Sequence, residues 1–180
     1  PDTGTQPSVK LTAALASDKV DEDEKHTYFN LGIDLSDFTG NSDIFGVEVH
    51  LQYNNSVWLN RDQDAVRTLG LIFNETDSAD YLKAYEGQEG YLNSHELVYA
   101  ITNLPNKANI SVSGAKNLVT IPMRASGDNE ISISKIVIVR KSASGAVETV
   151  TVPAGNIHSV HTPTEINPFV VQSDYPHGGV

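Results

Sequence analysis

The chain of 180 residues contains no cysteine. Disulfide bonds, thiolate nucleophiles and cysteine-ligated zinc or iron–sulfur sites are therefore excluded, and the fold must depend on packing. The sequence also has no apolar run near the roughly 18 residues that a membrane-spanning helix needs. Apolar residues nevertheless make up 39% of the chain, which fits one domain with a substantial core.

Positive charge is scarce as well. The sequence has 12 Lys and Arg residues against 23 Asp and Glu residues, so its formal net charge is -11. Nucleic acids and anionic membranes are bound through clustered Lys and Arg, so we expect neither as a partner. A cationic protein surface, a bound metal ion or simple solubility suits this charge balance better.

Catalytic signatures are also missing from the sequence. It contains no nucleophile elbow, no P-loop and no dinucleotide-binding glycine motif. His158 and His161 have an H-x-x-H spacing, but on a strand this odd offset points the two rings to opposite faces. With no catalytic candidate, we predict that the protein is not an enzyme.

The pattern that is present is alternation of apolar and polar residues. In "DIFGVEVHLQYNNSVWLN", residues 43–60, every second side chain from Phe45 to Tyr53 is apolar. Similar alternation occurs in "HTYFNLGIDLSDF", "HELVYAITNL" and "EISISKIVIVRK". Together with shorter alternating segments elsewhere, the sequence has about eight or nine short strands separated by turn residues. This spacing predicts an all-β fold, a two-sheet sandwich or jelly roll.

One segment has a different spacing. Tyr81, Leu82 and Tyr85 recur at helical intervals, with Asp77 or Ser78 as a cap and Gly87 as a stop. We therefore predict a short helical insertion near residues 77–86.

Three regions follow from these patterns. Residues 1–7 form an N-terminal arm, residues 8–160 form the β-sandwich domain, and residues 161–180 form a proline-containing C-terminal extension.

Charged residues are only 19% of the chain, while Ser, Thr and Asn are frequent. This composition is typical of extracellular β-domains, so we predict a location outside the cell or at its surface.

Calcium is the one cofactor that the sequence suggests. Ca²⁺ binds six to eight oxygen atoms from carboxylates and carbonyls on loops, and "DKVDEDE" and "DLSDFTGNSD" supply such groups. The candidate ligands are Asp18, Asp21, Asp23, Asp37 and Asp43. The alternative is that these acids form exposed loops that keep the domain soluble.

Three N-glycosylation sequons occur, at Asn54, Asn74 and Asn109. A chain this rich in Asn, Ser and Thr would contain about two by chance. The sequons alone therefore say little about modification.

The order of segments resembles that of cohesin domains. The resemblance covers about residues 8–160 and rests on "VKLTAAL", "TYFNLGIDLSDF", "IFGVEVHLQYNNSVW", "NLVTIPMRAS" and "EISISKIVIV" with the segments that follow it. Cohesins usually carry a Tyr-Asp-Pro triplet after the third of these strands, where this chain has Tyr53-Asn54-Asn55. The resemblance implies a nine-stranded jelly roll from an extracellular scaffold, without catalysis, that grips a calcium-loaded dockerin on one sheet face. By position, the expected contact residues on that face are Glu48, His50, Gln52 and Tyr99.

Two other functions stay open at this point. The first is self-assembly, in which the short β-prone segment Pro168, Phe169, Val170 and Val171 adds a strand to a neighbouring copy and builds a filament or tube. Acidic loops bridged by Ca²⁺ would reduce charge repulsion between such copies. The second is carbohydrate binding, although aromatic residues are only 7% of the chain and Trp58 is its only tryptophan.

Overall fold

The computed structural model describes residues 6–16, 26–60 and 67–164, and nearly all of their regular structure is strand. The strands of the first sheet are β1 (Ser8–Leu15), β2 (Thr27–Phe38), β4 (Val57–Leu59), β5 (Thr68–Leu69), β8 (Val112–Ala125) and β11 (Ile157–His158). The strands of the second sheet are β3 (Gly46–Asn54), β6 (Ser78–Tyr85), β7 (Ser94–Asn103), β9 (Glu130–Lys141), β10 (Val147–Val150) and β12 (Val160–His161). In these residues the only helical turns are two short 3₁₀ turns, Gly40–Ser42 and Ala154–Asn156.

The first sheet has the order β11-β1-β2-β8-β4, with β5 also paired to β8. Its longest pairing joins β2 and β8, which run antiparallel, while β1 and β11 run parallel. Opposite Leu11 lies Ile33, and opposite Ile33 lies Val119, so apolar side chains line up across the three central strands. These side chains are buried and form one wall of the core.

The second sheet has the order β10-β9-β3-β7-β6, with β12 also paired to β9. Its register places Val49 opposite Tyr99 and Leu51 opposite Leu97, and all four side chains are fully buried. The inward residues of both sheets form one hydrophobic cluster between the layers. The predicted sandwich is confirmed, including the inward side of the 45–53 strand. The prediction was possible because a strand that packs one face on a core has apolar residues at every second position.

The predicted helix near residues 77–86 is wrong. The eight residues Ser78–Tyr85 form β6, and each of them pairs with a residue of β7. Along this strand Asp80, Leu82 and Ala84 are less exposed than Ala79 and Lys83, which is a period of two. An isolated helix of this length is marginal in water, so pairing with a neighbouring strand outweighs the local helical spacing.

Candidate functional site

The outer face of the second sheet carries the most distinctive surface of the described residues. Gly46, Ala79 and Ala100 lie on neighbouring strands, and because glycine has no side chain and alanine only a methyl group, they leave a shallow groove of about 370 Å³. Val137 and Val139 line it from β9. On the β6 side the groove is lined by Tyr81, which is 51% exposed. The groove is therefore mainly apolar and open to solvent.

The half of this face next to the groove is polar and charged. The ring of His50 lies between two carboxylates, with Nε2 2.5 Å from Oε2 of Glu48 and Nδ1 3.2 Å from Oε2 of Glu96. Lys135 is the partner of His50 on β9. A neutral imidazole has one N–H donor, so His50 donates to both carboxylates only when its ring is protonated. The three side chains form a charged cluster beside an apolar groove.

Aromatic side chains border the same face along β6. The rings of Tyr85 and Tyr91 stack with centroids 5.4 Å apart, and the ammonium of Lys83 lies 4.8 Å from the Tyr85 centroid. Stacked rings lose little conformational freedom on binding, which suits a contact surface. Trp58 is placed differently: Arg124 lies 5.4 Å from its centroid and His26 packs against it at right angles. The single tryptophan is thus engaged by neighbouring side chains, including His95 of β7.

Three of the four predicted contact residues are on this outer face. Glu48 and His50 are half-buried there and Gln52 is exposed. Tyr99 is not, and the prediction that its side chain points outward is wrong. Tyr99 is fully buried because the register pairs it with Val49, an inward residue. Whether the three outward residues contact a partner stays a prediction.

Tyr99 belongs instead to a polar network on the inner side of β6. Its hydroxyl donates to Oδ2 of Asp80 at 2.9 Å, and Arg67 donates to both oxygens of the same carboxylate at 3.1 Å each. These hydrogen bonds, led by those from Arg67, hold the pKa of Asp80 below its ordinary value. Burial raises the pKa of Tyr99 well above its ordinary value. The network fixes β6, and with it the Tyr81 side of the groove.

The predicted calcium ligands are only partly within the described residues. Asp37 accepts a hydrogen bond from the backbone N–H of Gly114 at 3.1 Å, and Asp43 accepts one from the hydroxyl of Ser111 at 2.5 Å. Asp18, Asp21 and Asp23 lie outside the described residues. Over residues 6–16, 26–60 and 67–164, no group of three or more His, Asp or Glu side chains is arranged to hold a metal ion. Calcium binding stays a prediction.

The predicted donor segment, Pro168 to Val171, also lies outside the described residues.

The two histidines of the H-x-x-H pair are on different sheets, with His158 on β11 and His161 on β12. His161 is 3.0 Å from the carboxylate of Asp128 through Nδ1. In the described part of the chain, no helix is long and apolar enough to cross a bilayer.

Sequence reasoning missed the residues that line the groove, chiefly Ala100, Val137 and Val139. A signal for two of them was present, because "KIVIVR" is apolar at consecutive positions instead of alternate ones. An uninterrupted apolar run in a strand indicates that both faces are covered or available for contact. No local signal identifies Ala100, whose importance depends on its neighbours across the sheet.

Solved structures with a similar arrangement include cohesin modules. The seventh ScaB type I cohesin from Pseudobacteroides cellulosolvens is 8% identical, with a TM-score of 0.50 over 78% of this chain and 85% of that chain. The fold is cohesin-like. A cohesin module from the family 33 glycoside hydrolase of Clostridium perfringens is 14% identical, with a TM-score of 0.45 over 88% of this chain and 96% of that chain.

A pilin gives a more distant match. The full-length major pilin SpaD from Corynebacterium diphtheriae is 11% identical with a TM-score of 0.41, and the match covers 86% of this chain but 34% of the pilin. No protein-family model matches the sequence, and no curated protein is similar to it in sequence. At these identities the likeness concerns the fold, and the resemblance to cohesins is confirmed at that level.

Proposed function

We propose that this domain is a non-catalytic docking module outside the cell that binds a partner protein on the outer face of its second sheet. The observation that carries the proposal is the apolar groove of about 370 Å³ beside the charged cluster of Glu48, His50 and Glu96. An exposed apolar surface bordered by polar groups is typical of a protein-binding site. The cohesin-like fold supports the same function.

The size of this face suits a protein partner. Five strands at about 4.8 Å spacing, with lengths of eight to twelve residues for the main ones, give a surface roughly 20 Å by 30 Å. A specific interface buries about 800 Å² on each partner, which is the same order of size. A helix of about 20 residues is about 30 Å long and would fit along the strands. A helical partner of the dockerin type is therefore our first candidate.

The chemistry of the face also favours binding over catalysis. Arg67, Asp80 and Tyr99 have shifted pKa values, and these three residues pair with one another. An ion pair with a structural role accounts for shifts of this kind without any catalytic role. The groove itself is shallow and apolar.

Filling the groove tests the proposal. Ala100→Arg places a long charged side chain among Val137, Tyr81 and Glu48, and we expect it to weaken binding to a dockerin-type partner by roughly tenfold or more. The matched control is Asn30→Arg, at an exposed position of β2 in the other sheet, which should bind like the wild type. Isothermal titration calorimetry measures both variants. Equal affinity of the two variants would reject the groove as the binding site.

A wild-type domain that binds no dockerin at micromolar concentration would remove that partner class. Self-assembly would then be the second candidate, because β6 is the last strand in the order of the second sheet. A strand from another copy, such as the segment Pro168 to Val171, would add to a sheet edge through backbone hydrogen bonds. Size-exclusion chromatography with and without millimolar Ca²⁺ tests this. Polymers that disappear when residues 162–180 are deleted would support strand donation, and a persistent monomer would contradict it.

A further inference from the structure

The three N-glycosylation sequons are chemically different in the folded domain. At Asn54 the side-chain nitrogen Nδ2 donates to Oδ1 of Asn129 at 2.6 Å, and Asn129 is itself buried. The oxygen of Asn54 accepts from the backbone N–H of Ser56 at 2.8 Å. The nitrogen that would carry a glycan is therefore occupied in a contact between β3 and the turn before β9.

Asn109 is held more firmly. Its Nδ2 donates to the backbone carbonyl of Lys141 at 2.8 Å, and its Oδ1 accepts from the backbone N–H of the same residue at 2.9 Å. This pair of hydrogen bonds fastens the chain before β8 to the end of β9. The hydroxyl of Ser111, the last residue of this sequon, donates to Oδ1 of Asp43 at 2.5 Å. We call this pair of hydrogen bonds between Asn109 and Lys141 the clamp. A glycan on Asn109 would replace one of its two amide hydrogens and collide with the backbone of Lys141.

Asn74 has the opposite arrangement. Its Oδ1 accepts from the backbone N–H of Thr76 at 2.9 Å and from the hydroxyl of the same residue at 2.7 Å. A backbone N–H can only donate, so the atom of Asn74 that faces Thr76 must be the amide oxygen. Nδ2 therefore points away from Thr76. Within the described residues Nδ2 of Asn74 makes no hydrogen bond.

The turn that holds Asn74 is well anchored. Ile72 and Phe73, just before it, are 8% and 4% exposed and belong to the core. Asn74, Glu75 and Thr76 are all exposed. The sequon is thus displayed in a defined conformation instead of needing to be pulled out of a sheet.

We propose that Asn74 is the N-glycan acceptor of the folded domain, and that Asn54 and Asn109 are not. The donor class is an oligosaccharide linked to a lipid diphosphate, which an oligosaccharyltransferase supplies. Nδ2 forms a bond to the anomeric carbon while the bond from that carbon to the diphosphate oxygen breaks. The electron pair leaves with the lipid diphosphate, and one amide proton passes to a base on the transferase.

The test is glycan transfer to the purified folded protein. A single-subunit oligosaccharyltransferase is chosen that modifies three synthetic peptides, each with one of these sequons, so that the enzyme accepts all three sequences. With the folded protein and a lipid diphosphate-linked oligosaccharide, we expect transfer to Asn74 roughly tenfold or more faster than to Asn54 or Asn109, since those two sites require local opening first. Peptide mapping by mass spectrometry gives the occupancy of each site.

Variants provide the controls. Asn74→Gln should abolish transfer, whereas Asn54→Gln and Ser111→Ala should leave it unchanged. Ser111→Ala is preferred to a change at Asn109 because it removes the sequon but keeps the clamp to Lys141. Transfer to Asn54 or Asn109 at a rate comparable with Asn74 would overturn the proposal. So would an unmodified Asn74 in the folded protein when its peptide is modified.

Discussion

Replacing Asp80 by Asn tests the polar network that attaches β6 to the sheet. Asp80 accepts two hydrogen bonds from Arg67 at 3.1 Å and one from the hydroxyl of Tyr99 at 2.9 Å. Asparagine has nearly the same shape but one accepting oxygen and no charge. The variant therefore removes the charge and at least one hydrogen bond without creating a cavity.

The expected loss of unfolding free energy is moderate. The side chains of Arg67 and Asp80 are 33% and 20% exposed, so water screens their attraction and the ion pair contributes far less than in a dry interior. The buried hydroxyl of Tyr99 competes with Arg67 for the single remaining oxygen. A hydrogen bond to a charged group contributes about 1.5–3 kcal/mol, so we expect Asp80→Asn to lose about 2 kcal/mol. For a domain of this size that lowers Tm by about 4–8 °C.

The loss should depend on pH with a defined sign. The pKa of Asp80 lies below its ordinary value of 3.8, chiefly because Arg67 donates hydrogen bonds to the carboxylate. A lowered pKa means that the carboxylate stabilises the fold above the unfolded pKa, and that this contribution is lost as pH falls through the lower folded value. Asparagine does not titrate. The difference between wild type and variant should be constant near neutral pH and shrink below pH 3.8.

Urea unfolding of both proteins between pH 7 and about pH 2.5 measures this difference. The matched control is Asp77→Asn, because Asp77 pairs with Lys107 at 3.1 Å with side chains that are 40% and 38% exposed. We expect the control to change the unfolding free energy by less than about 1 kcal/mol. The reasoning would be refuted if Asp80→Asn were as stable as the control at neutral pH, or if its deficit persisted unchanged in acid.

Three further outcomes are expected. Tyr99→Phe should remove an alkaline instability, because burial raises the pKa of Tyr99. Above pH 10, the stability of the wild type should fall by about 1.4 kcal/mol per pH unit more steeply than that of the variant, and equal slopes would contradict this expectation. Gly70→Ala should destabilise the domain strongly, since an added Cβ would lie 1.9 Å from the backbone oxygen of Asn117. A variant that melts at the same temperature as the wild type would contradict this close approach. Leu97→Ala should cost about 2–5 kcal/mol in urea unfolding because the side chain is fully buried, and a loss below about 1 kcal/mol would count against the core assignment.

Much of the architecture was predictable because strand alternation is a local property. The inward side of β3 from Val47 to Tyr53 could be read directly, since each step of two residues returns to the same face. The helix near residues 77–86 could not be excluded in this way. Tyr81, Leu82 and Tyr85 fit a helical period, whereas the strand that forms places Leu82 on the face opposite Tyr81, and only the presence of β7 alongside decides between the two.

The candidate site was predicted only in part, for a related reason. Glu48, His50 and Gln52 are correctly placed outward because they alternate with core residues on one strand. Tyr99 was misplaced because its direction depends on the register of β7 against β3, which no residue of β7 reveals by itself. The groove was missed because it is formed by small residues on strands far apart in the sequence.

The sequence by itself determined that this protein is an all-β domain without disulfides, since the absence of cysteine and the period of two are visible residue by residue. Only the tertiary structure decided which apolar residues are left outside the core, that Tyr99 is buried, and which of the three sequons keeps an amide nitrogen without a hydrogen bond to the described residues. Those properties depend on contacts between residues such as Asn109 and Lys141, which are separated along the chain but joined by strand pairing. Local patterns specify the strands, and the pairing of the strands specifies the surface.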